Sequence, residues 1–156
     1  MVKSSTLSGT ISDLAFGGKG ILRSEEGKVF FVPFTIPGEE IVCEITKEKK
    51  DYGEAVCKKI LKPSRDRVSP LCPYFGVCGG CQLQHVRYDA QSNLKKHMVE
   101  EALRRVYPNA EVTFKPSLTP WAHRRKIHLT LKPGNQGFKT GYIALDNRSL
   151  IEVKEC

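Results

Sequence analysis

Hydrophobic and polar positions alternate in short bursts along the first sixty residues, and each burst ends in turn-forming residues. Leu7 to Ala15 runs into Gly17-Gly18-Lys19-Gly20, Ile21-Leu22-Arg23 into Ser24-Glu25-Glu26-Gly27, and Lys28-Val29-Phe30-Phe31-Val32 stops at Pro33. Pro37-Gly38 then opens Glu39 to Thr46, where Ile41, Cys43 and Ile45 fall on one face because alternate residues of a strand share a side. Tyr52 to Leu61 adds Ala55 and Cys57, with Val56 and Ile60 nearby, before Pro63. Five short strands in so short a stretch predict a small OB-like barrel.

The pattern changes after Pro63. Ser64 to Pro70 reads as a polar linker into a cysteine-rich loop, and a helical period follows, with Leu94, Met98, Ala102 and Val106 four residues apart and Val99 and Leu103 widening the stripe. Asp89 is the predicted N-cap, Pro108 the predicted stop, and the stripe is expected to pack against the core while Lys95, Lys96, Arg104 and Arg105 face solvent. Beyond Pro120, Ile127-His128-Leu129-Thr130-Leu131 alternates as a half-buried strand. Pro133-Gly134-Asn135-Gln136-Gly137 turns it, Phe138 to Leu145 returns as its hairpin partner, and Leu150 to Val153 is a last short strand before Cys156. The predicted class is mainly β with an α+β part: a five-stranded OB-like barrel over 1–63, then a cysteine loop, one helix and an antiparallel β segment over 64–156.

Charge adds a direction to this picture. The 156 residues carry a formal +8, but residues 1–62 hold 10 basic and 9 acidic side chains against 15 and 8 in residues 63–156, so the second part carries +7 of it. Basic charge concentrated in one region is the footprint of a nucleic-acid or other polyanion partner, and also of a merely solvated face. Arg124, Arg125 and Lys126, just after Trp121, are the sharpest basic group and are expected to project toward solvent; Lys19 and Lys28 extend the candidate surface onto the barrel. Phe30, Phe31 and Phe34 are candidates for stacking on bases, although neighbouring strand positions point to opposite faces and at least one belongs to the core. The apolar runs are too short to span a membrane, and Met1-Val2-Lys3-Ser4-Ser5-Thr6 lacks the apolar core of a signal peptide. A cytoplasmic protein with reduced cysteines is expected, with no membrane partner.

Reduced cysteines at close spacing point to metal chemistry. Cys72, Cys78 and Cys81 form C-x5-C-x2-C, and Cys156 follows after 74 intervening residues. Three thiolates on one loop converge on a small cluster if Gly79 and Gly80 let the backbone fold around it and aim N–H groups at sulfur, and a distant fourth thiolate closes the site. A [4Fe–4S] centre uses four such ligands. Zinc is the main rival, though four-cysteine zinc sites usually supply two C-x2-C pairs and only one is present. A redox dithiol at Cys78 and Cys81 lacks its usual βαβ setting, and three unliganded buried cysteines in ten residues is the weakest reading.

Arg67-Val68-Ser69-Pro70-Leu71-Cys72, Cys78-Gly79-Gly80-Cys81-Gln82-Leu83-Gln84-His85, Tyr88, Gln91 and Lys95 together resemble the cluster-binding region of the SAM-dependent RNA 5-methyluridine (uracil-C5) methyltransferases of the ribosomal-RNA type. Gly17-Gly18-Lys19-Gly20-Ile21, Gly27 to Pro33 and Ile36-Pro37-Gly38-Glu39 resemble that family's TRAM domain, an OB-like RNA-binding barrel. Trp121-Ala122-His123-Arg124-Arg125-Lys126 and Gly141-Tyr142 through to Cys156 are similar to the start of its central domain.

The resemblance implies that Cys72, Cys78, Cys81 and Cys156 ligate a [4Fe–4S] cluster and that the partner is RNA, ribosomal RNA ahead of transfer RNA, with no DNA expected. It also implies that S-adenosylmethionine, the nucleophilic cysteine and the acidic base belong to a Rossmann-like domain that this stretch does not contain, so the chain alone is expected to be inactive. Gly17-Gly18-Lys19-Gly20 sits between strands and is a turn, not a cofactor loop, and Cys43 and Cys57 lie in predicted strands as inert small hydrophobes. Tyr74 and Phe75 shield a cluster or pack the loop; His85, His97, His123 and His128 show no ligand-like pairing and are expected to be ordinary polar residues. A stand-alone TRAM-type RNA-binding module with a structural zinc or Fe–S site is the competing reading.

Overall fold

The computed structural model describes residues 5–134 and 137–156; the predicted turn at Asn135-Gln136 and the residues before Ser5 lie outside them. Five strands, β1 (Thr6–Leu14), β2 (Lys19–Arg23), β3 (Val29–Pro33), β4 (Glu40–Glu48) and β5 (Tyr52–Lys62), close into a barrel in the order β1-β2-β3-β5-β4. Pairing is antiparallel except between β3 and β5, which run parallel. The inward positions are those picked out by alternation: Ile11, Leu22, Phe30, Val32, Ile41, Cys43 and Ala55 form one buried cluster, with Ile45, Cys57 and Ile60 packed against it. Burying the Ile, Leu, Phe and Val side chains of this cluster stabilises the barrel by about 1.5–3 kcal/mol each. Gly53 is required where β5 passes Phe30, because a Cβ there would lie 2.4 Å from the Phe30 ring. Phe31 faces the other way and meets Tyr52 edge-on, ring centroids 5.9 Å apart.

The single helix of the described residues, α1 (Tyr88–Arg104), starts one residue before the predicted cap. Arg87, in extended conformation, occupies the cap position without a side-chain bond, and Asp89 sits inside the first turn, where its charge favours the positive end of the helix dipole. The helix also stops short of Pro108, its last amides continuing into a turn through Val106 and Tyr107. Its apolar stripe is not packed into a core as expected. No residue of α1 is buried, and Val99, Leu103 and, beyond the helix, Val106 are exposed. The helical period marks which face is apolar, and among the described residues only the inner turns, at Leu94 and Met98, reach partial cover.

A three-stranded sheet follows in the order β6 (Thr130–Gly134), β7 (Gly137–Ile143), β8 (Leu150–Ile151), all antiparallel. The predicted hairpin is present, but β6 begins at Thr130, and Ile127, Leu129 and Leu131 are about half exposed where a half-buried strand was expected. No helix among the described residues is long and apolar enough to cross a membrane.

Candidate RNA interface and cysteine loop

The barrel hands the chain to the cysteine loop through a buried ion pair. Glu39, just before β4 and fully buried, accepts hydrogen bonds from the Ile36 amide (3.0 Å), the Ser64 amide (3.1 Å) and both Nε (2.6 Å) and a terminal nitrogen (2.7 Å) of Arg67. Arg67 also donates to the Phe34 carbonyl at 2.9 Å. Burial by itself would raise the Glu39 carboxyl, but the Arg67 hydrogen bonds, the two amides and the Arg67 charge outweigh it and hold the group below its ordinary value.

From this clamp the backbone pairs with itself. Arg67 and Val86 form an antiparallel bridge, the Val68 amide donates to the His85 carbonyl (2.9 Å), and the Arg87 amide to that of Asp66 (2.8 Å), reinforced by an Arg87–Asp66 ion pair at 2.6 Å. Residues 66–68 and 85–87 therefore close the base of an excursion that contains Cys72, Cys78 and Cys81. Tight turns shape its interior, the Phe75 amide donating to Cys72 and the Cys78 amide to Tyr74. The Gly80 amide points at Cys78 Sγ, 3.4 Å away, as expected for a loop that turns N–H groups toward sulfur.

The far side of the loop is fastened to the end of β7. Cys78 bridges to Ala144, the Gly79 amide donates to Ile143 (3.0 Å), and the Leu145 amide to Val77 (3.0 Å). Gly79 leaves no room for a side chain, since a Cβ would stand 2.9 Å from the Ile143 carbonyl oxygen. The C-terminal segment reaches the same place. The Lys154 amide donates to Tyr74 Oη at 3.3 Å, and Tyr142 hydrogen-bonds Cys156, which raises its phenol, with the Cys78 thiol acting in the same sense. Cys78 and Cys156, 78 positions apart in sequence, thus share Tyr142 as a neighbour. Among the described residues no three His, Cys, Asp or Glu side chains converge to clasp a single metal ion. The donor set is nonetheless that of a soft metal or cluster: four thiols, three on one anchored loop and the fourth beside it.

Cys43 and Cys57 face each other across β4 and β5, and burial raises both thiols, which suits inert packing residues rather than nucleophiles. Arg124, Arg125 and Lys126 are exposed, and among the described residues none has an ion-pair partner; Arg124 lies close enough to Tyr142 to act on its phenol. The two barrel candidates differ from these: Lys28 pairs with Glu48 at 2.6 Å, and Lys19 has Glu54 at 3.9 Å. Phe30 is core, while Phe34, in left-handed conformation (φ 61°), packs edge-on to Phe75 (5.0 Å between centroids) and to His85 (6.2 Å).

His85 is the residue whose environment the sequence conceals. It is fully buried against Phe34 and Phe75, its ring nitrogens make no well-formed hydrogen bond beyond a weak interaction with the Thr35 backbone, and burial together with the Arg67 charge lowers its pKa to about 4. The Glu39–Arg67 clamp was equally invisible, its two members lying 28 positions apart. An acid directly after Pro37-Gly38 is its one local trace, since a charge at the mouth of a turn is ordinarily solvated.

Residues 5–58, which contain most of the closed five-stranded barrel, match the TRAM domain family. Over nearly its whole length the chain is similar to longer proteins. It is 47% identical over 152 residues to an uncharacterised RNA methyltransferase of Protochlamydia amoebophila, covering 95% of this chain and 34% of that protein. It is 38% identical over 152 residues to one of Halalkalibacterium halodurans (94% and 33%). Among solved structures, the tRNA (uracil-54, C5)-methyltransferase of Pyrococcus abyssi in complex with S-adenosyl-L-homocysteine superposes with a TM-score of 0.65 at 30% identity, covering 96% of this chain and 32% of that one. Over nearly all of its residues the chain is similar to RNA methyltransferases, the solved one a uracil-C5 enzyme, and it spans about a third of the length of the relatives it matches.

Proposed function

We propose that the chain is the RNA-recognition and [4Fe–4S]-binding portion of a SAM-dependent 23S ribosomal RNA (uracil-C5) methyltransferase, acting in the cytoplasm. It divides into a TRAM barrel over 1–63 and a cluster lobe over 64–156. The observation that carries the reading is the closed cysteine loop, pinned by Val77 and Gly79 to the end of β7 beside Tyr142 and Cys156. Cys72, Cys78, Cys81 and Cys156 would hold the cluster, which supplies a rigid cross-link between the loop and the C-terminal segment, with binding energy that is also folding energy. RNA is contacted by Arg124, Arg125 and Lys126, with Lys19 and Lys28 as secondary contributors. The solved relative acts on transfer RNA, so that substrate is the alternative. SAM binding and methyl transfer are assigned to the part of the relatives that this chain does not cover.

Anaerobic purification tests the cluster. The protein is expected to be coloured and to contain about four iron and four acid-labile sulfide per chain. One equivalent of zinc without sulfide would overturn the cluster assignment and favour a stand-alone module with a structural metal. The same preparation, given SAM and RNA, is expected to transfer no methyl group; uridine methylation by the 156-residue chain would refute the division of labour.

A further inference from the structure

The turn between β1 and β2 carries an aromatic side chain that the barrel does not use. Ala15 and Lys19 close the turn by a 2.8 Å backbone hydrogen bond, and Phe16 at its tip is 92% exposed. Behind it Gly18 lies against Gln82 and Leu83 of the segment leaving the cysteine loop, while α1 passes on the other side, tied to β1 by the His97–Asp13 contact at 3.3 Å. These three elements enclose a crevice of about 240 Å³ whose lining includes Phe16, Gln82, Leu83, Lys95, Met98 and Val99.

The chemistry of this lining is selective. Its walls are apolar, it contains one cation and no carboxylate, and Lys95 is exposed with no ion-pair partner among the described residues. Gln82 donates its side-chain amide to the Gly79 carbonyl, which leaves its Oε1 as an acceptor. The volume lies below the roughly 300–1,000 Å³ of pockets that enclose whole organic ligands. A flat ring, an apolar slot and a lone cation at the rim match a planar base carrying an attached phosphate. A purely apolar peptide side chain would leave Lys95 without a partner.

We propose that this crevice receives one unstacked nucleotide of bound RNA, its base against Phe16, Leu83 and Met98 and its phosphate on Lys95. The inference rests on the RNA-binding reading above and adds a subsite to it, distinct from the basic group at residues 124–126. It accounts for two features together: an aromatic ring held in solvent on a turn, and an apolar helix face left open next to it.

The test is a titration of single-stranded RNA oligonucleotides, intact or carrying one abasic position, against the whole chain, its Phe16→Ala and Phe16→Trp variants, and Lys95→Gln. Because Phe16 is almost wholly exposed, these changes leave the barrel core untouched. Phe16→Ala is expected to weaken the intact oligonucleotide about 5- to 150-fold, the loss that follows removal of one base–aromatic stack, and to change abasic binding far less. Phe16→Trp is expected to restore affinity and to show tryptophan quenching on binding beyond that of the wild type, whose signal comes from Trp121 alone. If the wild type binds RNA and Phe16→Ala binds equally well, this subsite is refuted while the RNA-binding reading stands. If the wild type binds no RNA, both fail. Quenching of Phe16→Trp in a longer form of the protein before RNA is added would show the crevice filled by polypeptide and would also refute the subsite.

Discussion

Glu39 and His85 are buried within one small region, and each is kept in the protonation state that burial tolerates by a different route. Four hydrogen bonds keep Glu39 charged; His85 stays neutral because burial and Arg67 oppose its proton, with only the Thr35 backbone and Glu39 favouring it. The two respond to acid in successive windows. His85 has a folded pKa of about 4 against an ordinary 6.5, so on acidification the unfolded chain takes up the proton first and stability falls between pH 6.5 and about 4. Glu39 has a folded value below its ordinary 4.5; its contribution is complete above that pH and is lost as pH falls through the folded value. Urea midpoints are therefore expected to drop between pH 7 and 5, by about 2 kcal/mol in stability, and His85→Phe is expected to flatten that limb while leaving the steeper fall below pH 4.5. An unchanged limb in His85→Phe would show that the histidine is not buried as a neutral ring. None of this was legible in the sequence, where His85 is one histidine in a polar stretch and its burial depends on Phe34, 51 positions away.

At the level of elements, legibility followed from whether one segment contains its own cause. The five strands were readable because alternation and turn residues are local, and Ile41, Cys43 and Ala55 occupy the inner face as expected. The stripe on α1 was readable as a face but not as a contact, since periodicity says nothing about what covers it, and Ile127 to Leu131 failed as a half-buried strand for the same reason. The cysteine loop lies between these cases. Its spacing was visible, whereas its closure by 66–68 against 85–87 and its attachment at Ile143 and Leu145 depend on pairing between distant segments. That attachment predicts where loss of a ligand is felt. Cys78→Ser is expected to speed amide hydrogen exchange at Val77, Gly79 and Leu145 by tenfold or more, while the inner barrel amides at Ile41 and Ala55 keep wild-type protection. Equal loss of protection in the barrel would mean that the two parts fold as one unit and that the thiol supports the whole chain.

Over the whole molecule, the charge imbalance seen in composition is sharpened by pairing. Composition places the excess in the second part, but does not show that several of the barrel's lysines are already paired: Lys28 with Glu48, Lys58 with Glu44, Lys62 with Glu40 and, more loosely, Lys19 with Glu54. Exposed pairs of this kind contribute little stability, about 0–1 kcal/mol each, yet they reduce what a phosphate would gain by approaching. Arg124, Arg125 and Lys126 carry no such partner among the described residues and follow Trp121, itself nearly half exposed. RNA affinity should therefore be divided unequally between the two basic sets. Removing one cation that neutralises a phosphate lowers the slope of log K against log salt by roughly 0.7–0.9, so Arg124→Ala/Arg125→Ala is expected to reduce it by roughly two ions' worth and to weaken different RNAs alike. Lys28→Ala, which first frees Glu48, is expected to change the slope by less than half as much. Titrating a structured RNA at two salt concentrations against the three proteins measures both quantities, and equal slopes for the wild type and the double variant would remove this edge from the RNA-binding surface.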